Sequence, residues 1–292
     1  MTIYEANKIR RDFYKLTNPT EEDKFLYTEA LDFLISETKK PEYMVELGGM
    51  YYEEQHFDLA LKYYELAADY GDLRATTNLG YIGYYGRTGE KNYEKAFYYY
   101  DKARRMGDPI AAYKVADMYK NGYCVEKDCS KYKEIIEELY PLVKDTWNPY
   151  DPLPEVFTRL ARIRSEEGNT EEALRLYDRA RAMLERRIQD QPFFGDRNIM
   201  KWLVEDTYAL RAFDPDDFSL YDLFYLLRKP AKVRFRFAER IFEVRSEEEE
   251  GGCAVFFEER WYRTADDFFA EAGIDGELLT TIYDELYDFE VC

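Results

Sequence analysis

The sequence predicts a mainly α-helical protein, a solenoid of stacked antiparallel helix pairs followed by a small α+β C-terminal domain. Three observations predict it. A block of residues recurs at an offset of 36, with Ala60 over Ala96, Tyr64 over Tyr100, Ala67 over Ala103 and Gly71-Asp72 over Gly107-Asp108. Small residues stand at matching positions of each block. Near residue 230 the apolar spacing changes from a helical period to strict alternation.

Each element follows from local signals. Thr2 to Leu16 and Glu21 to Thr38 carry apolar residues at helical spacing, with Phe25, Leu26, Ala30, Leu31, Phe33 and Leu34 on one face. They read as a divergent capping pair over residues 1–40, because the first unit of a stack must cover an apolar side that no neighbour covers. The first helix of each following unit contains Leu47-Gly48-Gly49-Met50-Tyr51, Leu79-Gly80-Tyr81-Ile82-Gly83 or Val115-Ala116-Asp117-Met118-Tyr119. Gly48, Gly80 and Ala116 let a second helix approach closely, and Ala60 and Ala96 do the same from the other side. Tyr51, Tyr64, Tyr100 and Tyr119 are expected to fill the space between helices. Trp147-Asn148-Pro149-Tyr150-Asp151-Pro152 interrupts the array as a loop, since its prolines stop a helix. A fourth unit resumes with Leu160-Ala161 and Ala173, Tyr177 and Ala180, and Gly168-Asn169-Thr170 ends one helix and caps the next.

These residues resemble the tetratricopeptide-type solenoids, and among them the Sel-like repeats. The resemblance rests on the L-G-x-x-Y pattern, on Asn92-Tyr93-Glu94-Lys95-Ala96, on Ala-x-x-x-Gly-Asp at Ala67 to Asp72 and Ala103 to Asp108, and on Asn121-Gly122-Tyr123-Cys124-Val125. It spans about residues 41–188 and implies a right-handed α-α superhelix that acts as a protein-interaction scaffold or adaptor. Tyr132 departs from the pattern, standing where the earlier units carry alanine, and the turn after His56 is short.

Beyond the repeats, assigned to residues 41–190, a helical extension covers 191–229. It holds Ile199 to Ala209 and Phe218 to Leu227, with a turn at Asp214-Pro215-Asp216-Asp217. The last domain covers 230–292. Val233 to Phe237 and Ile241 to Arg245 alternate as strands, Ser246 to Gly252 reads as a polar turn, and Cys253 to Phe257 and Trp261 to Arg263 read as further strands. Thr264 caps a helix to Ala272 that Gly273 ends, and a final helix is expected from Leu278 to Tyr287.

Composition excludes several classes of function. The chain has 292 residues with 41 Lys plus Arg against 60 Asp plus Glu, a formal charge of −19, so nucleic acid and anionic membrane surfaces are not expected partners. Residues 191–292 hold 24 acids and 12 bases, giving −12 and leaving −7 for the first 190. That acidic part reads as a solvated face, with a docking surface for a basic partner as the other reading. No apolar run is long enough for a membrane span and Met1 to Thr20 has no signal-peptide core, so a cytoplasmic location is expected.

Chemistry-bearing residues are sparse. Cys124, Cys129, Cys253 and Cys292 lack the spacing of a zinc site, and His56, the single histidine, sits in a turn; no metal and no cofactor are expected. Gly80, Gly83, Gly86 and Gly89 have neither the strand nor the Lys-Ser/Thr of a phosphate loop. Asp216-Asp217 and Asp266-Asp267 stand where helix N-termini favour acids, so no catalytic residue is assigned.

Tyrosine is the informative excess, at 29 residues. If the first helices line the concave groove, as the resemblance implies, then Tyr52, Arg74, Thr77, Tyr81, Tyr84, Tyr85, Tyr113, Lys120 and Arg162 point into it and form a surface for a partner peptide or protein. The competing reading places the same tyrosines in wide interhelical packing, and exposure separates the two. A hydrolase using a carboxylate pair where the solenoid meets the C-terminal domain, and a structural protein dimerising through a sheet edge, are the alternatives to a scaffold.

Overall fold

The computed structural model describes residues 1–145, 152–190, 195–211, 218–250 and 252–292. The expected loop at 147–151 and the turn at 214–217 lie outside these residues. Contacts divide the chain into two compact units, Met1–Pro152 and Leu153–Cys292.

The first unit is a stack of four helix pairs: α1 (Ile3–Phe13) with α2 (Glu21–Thr38), α3 (Pro41–Glu53) with α4 (Phe57–Asp69), α5 (Leu73–Tyr85) with α6 (Tyr93–Arg105), and α7 (Pro109–Asn121) with α8 (Cys129–Val143). Their boundaries follow from capping. Asp72, Asn92, Asp108 and Asp128 each accept a hydrogen bond from a backbone N–H in the first turn of α5, α6, α7 and α8, at 2.8–2.9 Å. Gly86 ends α5 with φ +66°, a left-handed conformation that a side chain resists. Thr2 and Thr20 form capping boxes with Glu5 and Asp23, which fixes the starts of the terminal pair.

Close approach inside the α3–α4 and α5–α6 pairs rests on one glycine each. A Cβ on Gly48 would stand 2.8 Å from the Tyr64 ring, and one on Gly80 would stand 2.6 Å from the Tyr100 ring. Tyr64 and Tyr100 are buried, at 4% and 0% exposure. Tyr51 and Tyr119, expected in the same role, are only half-buried: Tyr51 stacks on Tyr63 and Tyr119 meets the edge of Phe97.

The second unit begins with α9 (Leu153–Glu166), α10 (Thr170–Asp190), α11 (Asp196–Leu210) and α12 (Leu220–Leu226). Its sheet is antiparallel throughout, in the order β4-β3-β2-β1-β7, with β1 (Ala231–Phe237), β2 (Arg240–Glu249), β3 (Gly252–Phe257), β4 (Arg260–Tyr262) and β7 (Tyr287–Val291). One face buries Val233, Phe235, Phe242, Val244, Val255 and Phe257 with Leu223, Leu227, Phe268 and Phe289, making a core of its own. Helix α13 (Ala265–Glu271) starts at the expected cap, Thr264, and a small hairpin of β5 (Gly273–Ile274) and β6 (Glu277–Leu278) follows it.

Three expectations are corrected here. The acidic run is mostly strand: β2 continues through Glu249, and Glu247, Glu248 and Glu249 pair with Ala254, Cys253 and Gly252. Leu278 to Tyr287 is no helix. It holds the end of β6, a 3-10 turn at Tyr283–Glu285 and the start of β7, because Tyr287 to Val291 alternates around buried Phe289 and completes the edge of β1. Gly273 stands in the β5–β6 hairpin, where any Cβ would collide with the Glu277 carbonyl, so its role is close approach and not helix termination.

Candidate functional site

The first helices of the repeats bring several of the expected residues together. Tyr52 on α3 meets Tyr81 on α5 edge to face at 6.1 Å; Tyr81 and Tyr85 lie 4.4 Å apart, and Tyr84 and Tyr85 5.0 Å apart. Spacing explains this: residues 81, 84 and 85 share one face of α5. All four rings are half-buried, and Tyr52 also packs against the core of the first unit. Tyr93 and Tyr123 extend the cluster as a stacked pair at 4.5 Å beside Tyr84.

Two cations that the sequence reading missed organise the rings. Arg87, just past the glycine that ends α5, lies 5.6–5.9 Å from the Tyr52, Tyr81 and Tyr85 rings and donates to the Tyr81 hydroxyl at 3.2 Å. Lys114 lies 5.1–5.4 Å from Tyr84, Tyr85 and Tyr113 and donates to the Tyr85 hydroxyl at 2.9 Å. Nothing in the sequence marked either cation, and the position of Arg87 depends on how the chain leaves α5. Burial among the rings pushes the Tyr52 phenol up to about 12. Burial, then the charge of Asp117, also raises the Tyr84 phenol. The Tyr52 and Tyr84 hydroxyls are therefore neutral at ordinary pH.

The remaining expected residues are placed differently. Arg74 is exposed at the start of α5. Tyr113 is 8% exposed. Thr77 is also buried, and its hydroxyl donates to Asp108 at 2.7 Å, tying α5 to the cap of α7. Lys120 lies over the ring of buried Tyr132 at 4.8 Å. Arg162 belongs to the second unit, where it pairs with Asp206 at 2.6 Å and covers Trp202 at 5.4 Å; Tyr177 donates to the same carboxylate.

Arg87 also borders a cavity of about 340 Å³, walled by Gln55, His56, Phe57, Asp58, Leu59 and Thr88. His56 is exposed at the start of α4. A second cavity of about 370 Å³ has Leu79 and Ile82 in its lining and Lys91, Lys95 and Tyr99 among its polar groups.

In the second unit, buried carboxylates are bound to guanidinium groups. Arg181 meets Asp222 at 2.7 Å, and Arg187 meets Glu155 at 2.7 Å and also Asp196. Asp222 additionally accepts from Ser219 to cap α12, so these acids hold helices together. The backbone N–H of Asp267 donates to the Thr264 hydroxyl at the start of α13, and Asp266 pairs with Arg228; Asp216 and Asp217 lie outside the described residues. Among the described residues no group of three or more His, Cys, Asp or Glu is placed to hold a metal ion, and no helix is long and apolar enough to cross a membrane.

A family model described as the Sel1 repeat matches residues 41–72, 73–108 and 109–131. Among solved structures, a Sel1 repeat protein from Oxalobacter formigenes is similar in fold, with a TM-score of 0.50 and 20% identity over 75% of this chain and 85% of that one. The c5321 protective antigen of uropathogenic Escherichia coli, displaying an SLR fold, gives a TM-score of 0.45 at 17% identity over 72% of this chain and 50% of that one. The MamA protein gives 0.41 at 14% identity over 65% and 97%. No protein of curated function matches the chain.

Proposed function

Because residues 41–131 are an array of three Sel1 repeats, a fold that commonly mediates protein–protein interaction and typically serves as a non-enzymatic scaffold, we propose that this chain is an interaction scaffold that docks a partner segment on the tyrosine face of α3, α5 and α7. The observation that carries the reading is the half-exposure of Tyr52, Tyr81, Tyr84 and Tyr85 around Arg87. Tyrosine and arginine supply large contact area with few rotamers to freeze, the composition of binding hot spots. Binding alone is the mechanism.

The sheet edges argue against dimerisation by strand pairing. Strand β4 has three residues, and β7 carries a register shift and left-handed Asp288 at φ +52°, features that blunt an edge.

The test is capture from a lysate of the source cell with wild type and with a Tyr52→Ser, Tyr81→Ser, Tyr85→Ser variant whose fold is verified by circular dichroism. Loss of a specific partner in the folded variant is the expected result. Retention of every partner overturns the reading.

A further inference from the structure

The sheet of the second unit has a face turned away from its core, and we infer that this face takes a proline-rich segment in the polyproline II conformation, docked across Arg245, Phe256 and Trp261. Alternation along β2, β3 and β4 buries Val244, Val255, Phe257 and Tyr262 and puts Arg245, Phe256 and Trp261 on the opposite side. Strand pairing sets these three in one row, Arg245 beside Phe256 and Phe256 beside Trp261. The two rings lie 5.1 Å apart, and the Arg245 guanidinium covers Phe256 at 4.5 Å and Trp261 at 5.7 Å. Trp261 is 45% exposed, so the row is a platform open to a ligand.

Charge does not select the ligand. Lys232 and Arg234 share Glu243 at 2.9 and 3.0 Å, Arg236 meets Asp288 at 3.3 Å, and Arg245 meets Glu247 at 3.1 Å. Glu258 and Glu259 stand in the turn before β4 and Arg263 just past it, two acids against one base. This leaves no cation surplus to draw an acidic segment and no basic stripe for nucleic acid.

Hydrogen bonding and spacing do select it. The Trp261 indole N–H has no partner among the described residues, while the carboxylate nearest the row, Glu247, is held by Arg245. The row therefore offers ring faces and a donor, matching proline, which keeps its carbonyl acceptor and has no N–H to satisfy. A polyproline II helix repeats every three residues, about 9 Å, and β2 and β4 stand two strand spacings of about 4.8 Å apart. Prolines three residues apart in a segment lying across the strands thus fall over Arg245 and Trp261, with Phe256 between them. Such a segment is already in its bound conformation and loses little entropy on docking.

The test is selection of peptides of about 12 residues from a random display library on the full chain, with counter-selection on Trp261→Ala. Synthetic copies of the selected peptides are titrated by fluorescence anisotropy against wild type, Trp261→Ala, Trp261→Phe and the Tyr52→Ser, Tyr81→Ser, Tyr85→Ser variant, each with its fold verified by circular dichroism. Expected are peptides with prolines three residues apart, whose affinity falls about tenfold or more in Trp261→Ala and less in Trp261→Phe, which keeps a ring and loses the N–H. The tyrosine substitutions are expected to leave that affinity unchanged, so the docking surface of the first unit stands or falls separately. Trp261-dependent peptides without such prolines overturn the inference, as does a selection in which no peptide depends on Trp261. If Trp261→Ala does not fold, Trp261→Phe decides alone, and affinity equal to wild type overturns the inference.

Discussion

Gly48 and Gly80 lie against Tyr64 and Tyr100 because ring and backbone occupy one space, and the α7–α8 pair solves the same problem with other residues. At the positions equivalent to Gly80, Ala96 and Tyr100, offset by 36, it carries Ala116, Tyr132 and Ile136, all buried. The bulk has moved one helical turn along α8. Tyr132, which departs from the repeat pattern in sequence, is therefore an exchange of volume and not a broken repeat. Substitution of neighbouring glycines should separate packing from propensity. Gly80→Ala places a methyl 2.6 Å from the buried Tyr100 ring and is expected to cost about 1–3 kcal/mol. Gly49→Ala meets its nearest atom, the Tyr64 hydroxyl oxygen, at 3.7 Å and is expected to gain about 0.5–1 kcal/mol, because alanine restricts the unfolded chain more than glycine does. Urea titrations of the two variants give the signs; equal losses would refute the distinction. The small-large pairing was legible in the sequence because it recurs, whereas Arg87 was not, since its three ring contacts join α3 and α5 through a turn without any periodic signal.

At the scale of elements, Asp108 does two things that Asp72, its repeat equivalent, does not combine. Both carboxylates cap a helix, accepting from Ala111 at 2.9 Å and from Ala75 at 2.8 Å, but Asp108 also receives the hydroxyl of buried Thr77 at 2.7 Å. Asp72→Ala is expected to cost about 1 kcal/mol, the value of a cap. Asp108→Ala should cost about 1 kcal/mol more, since the buried Thr77 hydroxyl loses its charged acceptor and keeps only the Leu73 carbonyl, at 3.1 Å. Thermal and urea unfolding of both variants measure the difference, and equal losses would show that the Thr77 bond adds nothing. Caps and glycines made most helix limits readable: the expected span of α2 is the observed one. The segment after α13 was misread because Leu278, Leu279, Ile282, Leu286 and Phe289 tolerate a helical spacing, while the partner that decides for a strand, the open edge of β1, lies far upstream.

For the whole molecule, the abundance of tyrosine makes alkaline pH the informative stress. Burial pushes the Tyr52 and Tyr64 phenols up to about 12 and lifts Tyr100 well above its ordinary value. Below pH 10 these phenols are neutral in folded and unfolded chain alike, and their contribution to stability is complete. Between 10 and about 12 the unfolded chain loses protons that the folded chain keeps, so stability falls with rising pH. Tyr64, 4% exposed, costs about 2–3 kcal/mol across that window. Phenolate absorbance and far-ultraviolet circular dichroism followed through that range should change together for the buried rings; full phenolate formation with helicity intact would refute it. The repeat array was readable because it is local and periodic. The Arg181–Asp222 and Arg187–Glu155 pairs of the second unit were not, as each joins helices that no short pattern relates. The sheet has the same division within it. Strands β1 to β4 form a meander joined by tight hairpins, with Phe237 opposite Arg240 and Phe257 opposite Arg260, and such neighbours find one another within microseconds. Strand β7 must return across β2, β3, β4 and α13 to place Val291 beside Val233, a closure with a much larger entropic barrier. Refolding of the second unit should therefore proceed through a four-stranded meander, and the arrival of its last strand sets the pace.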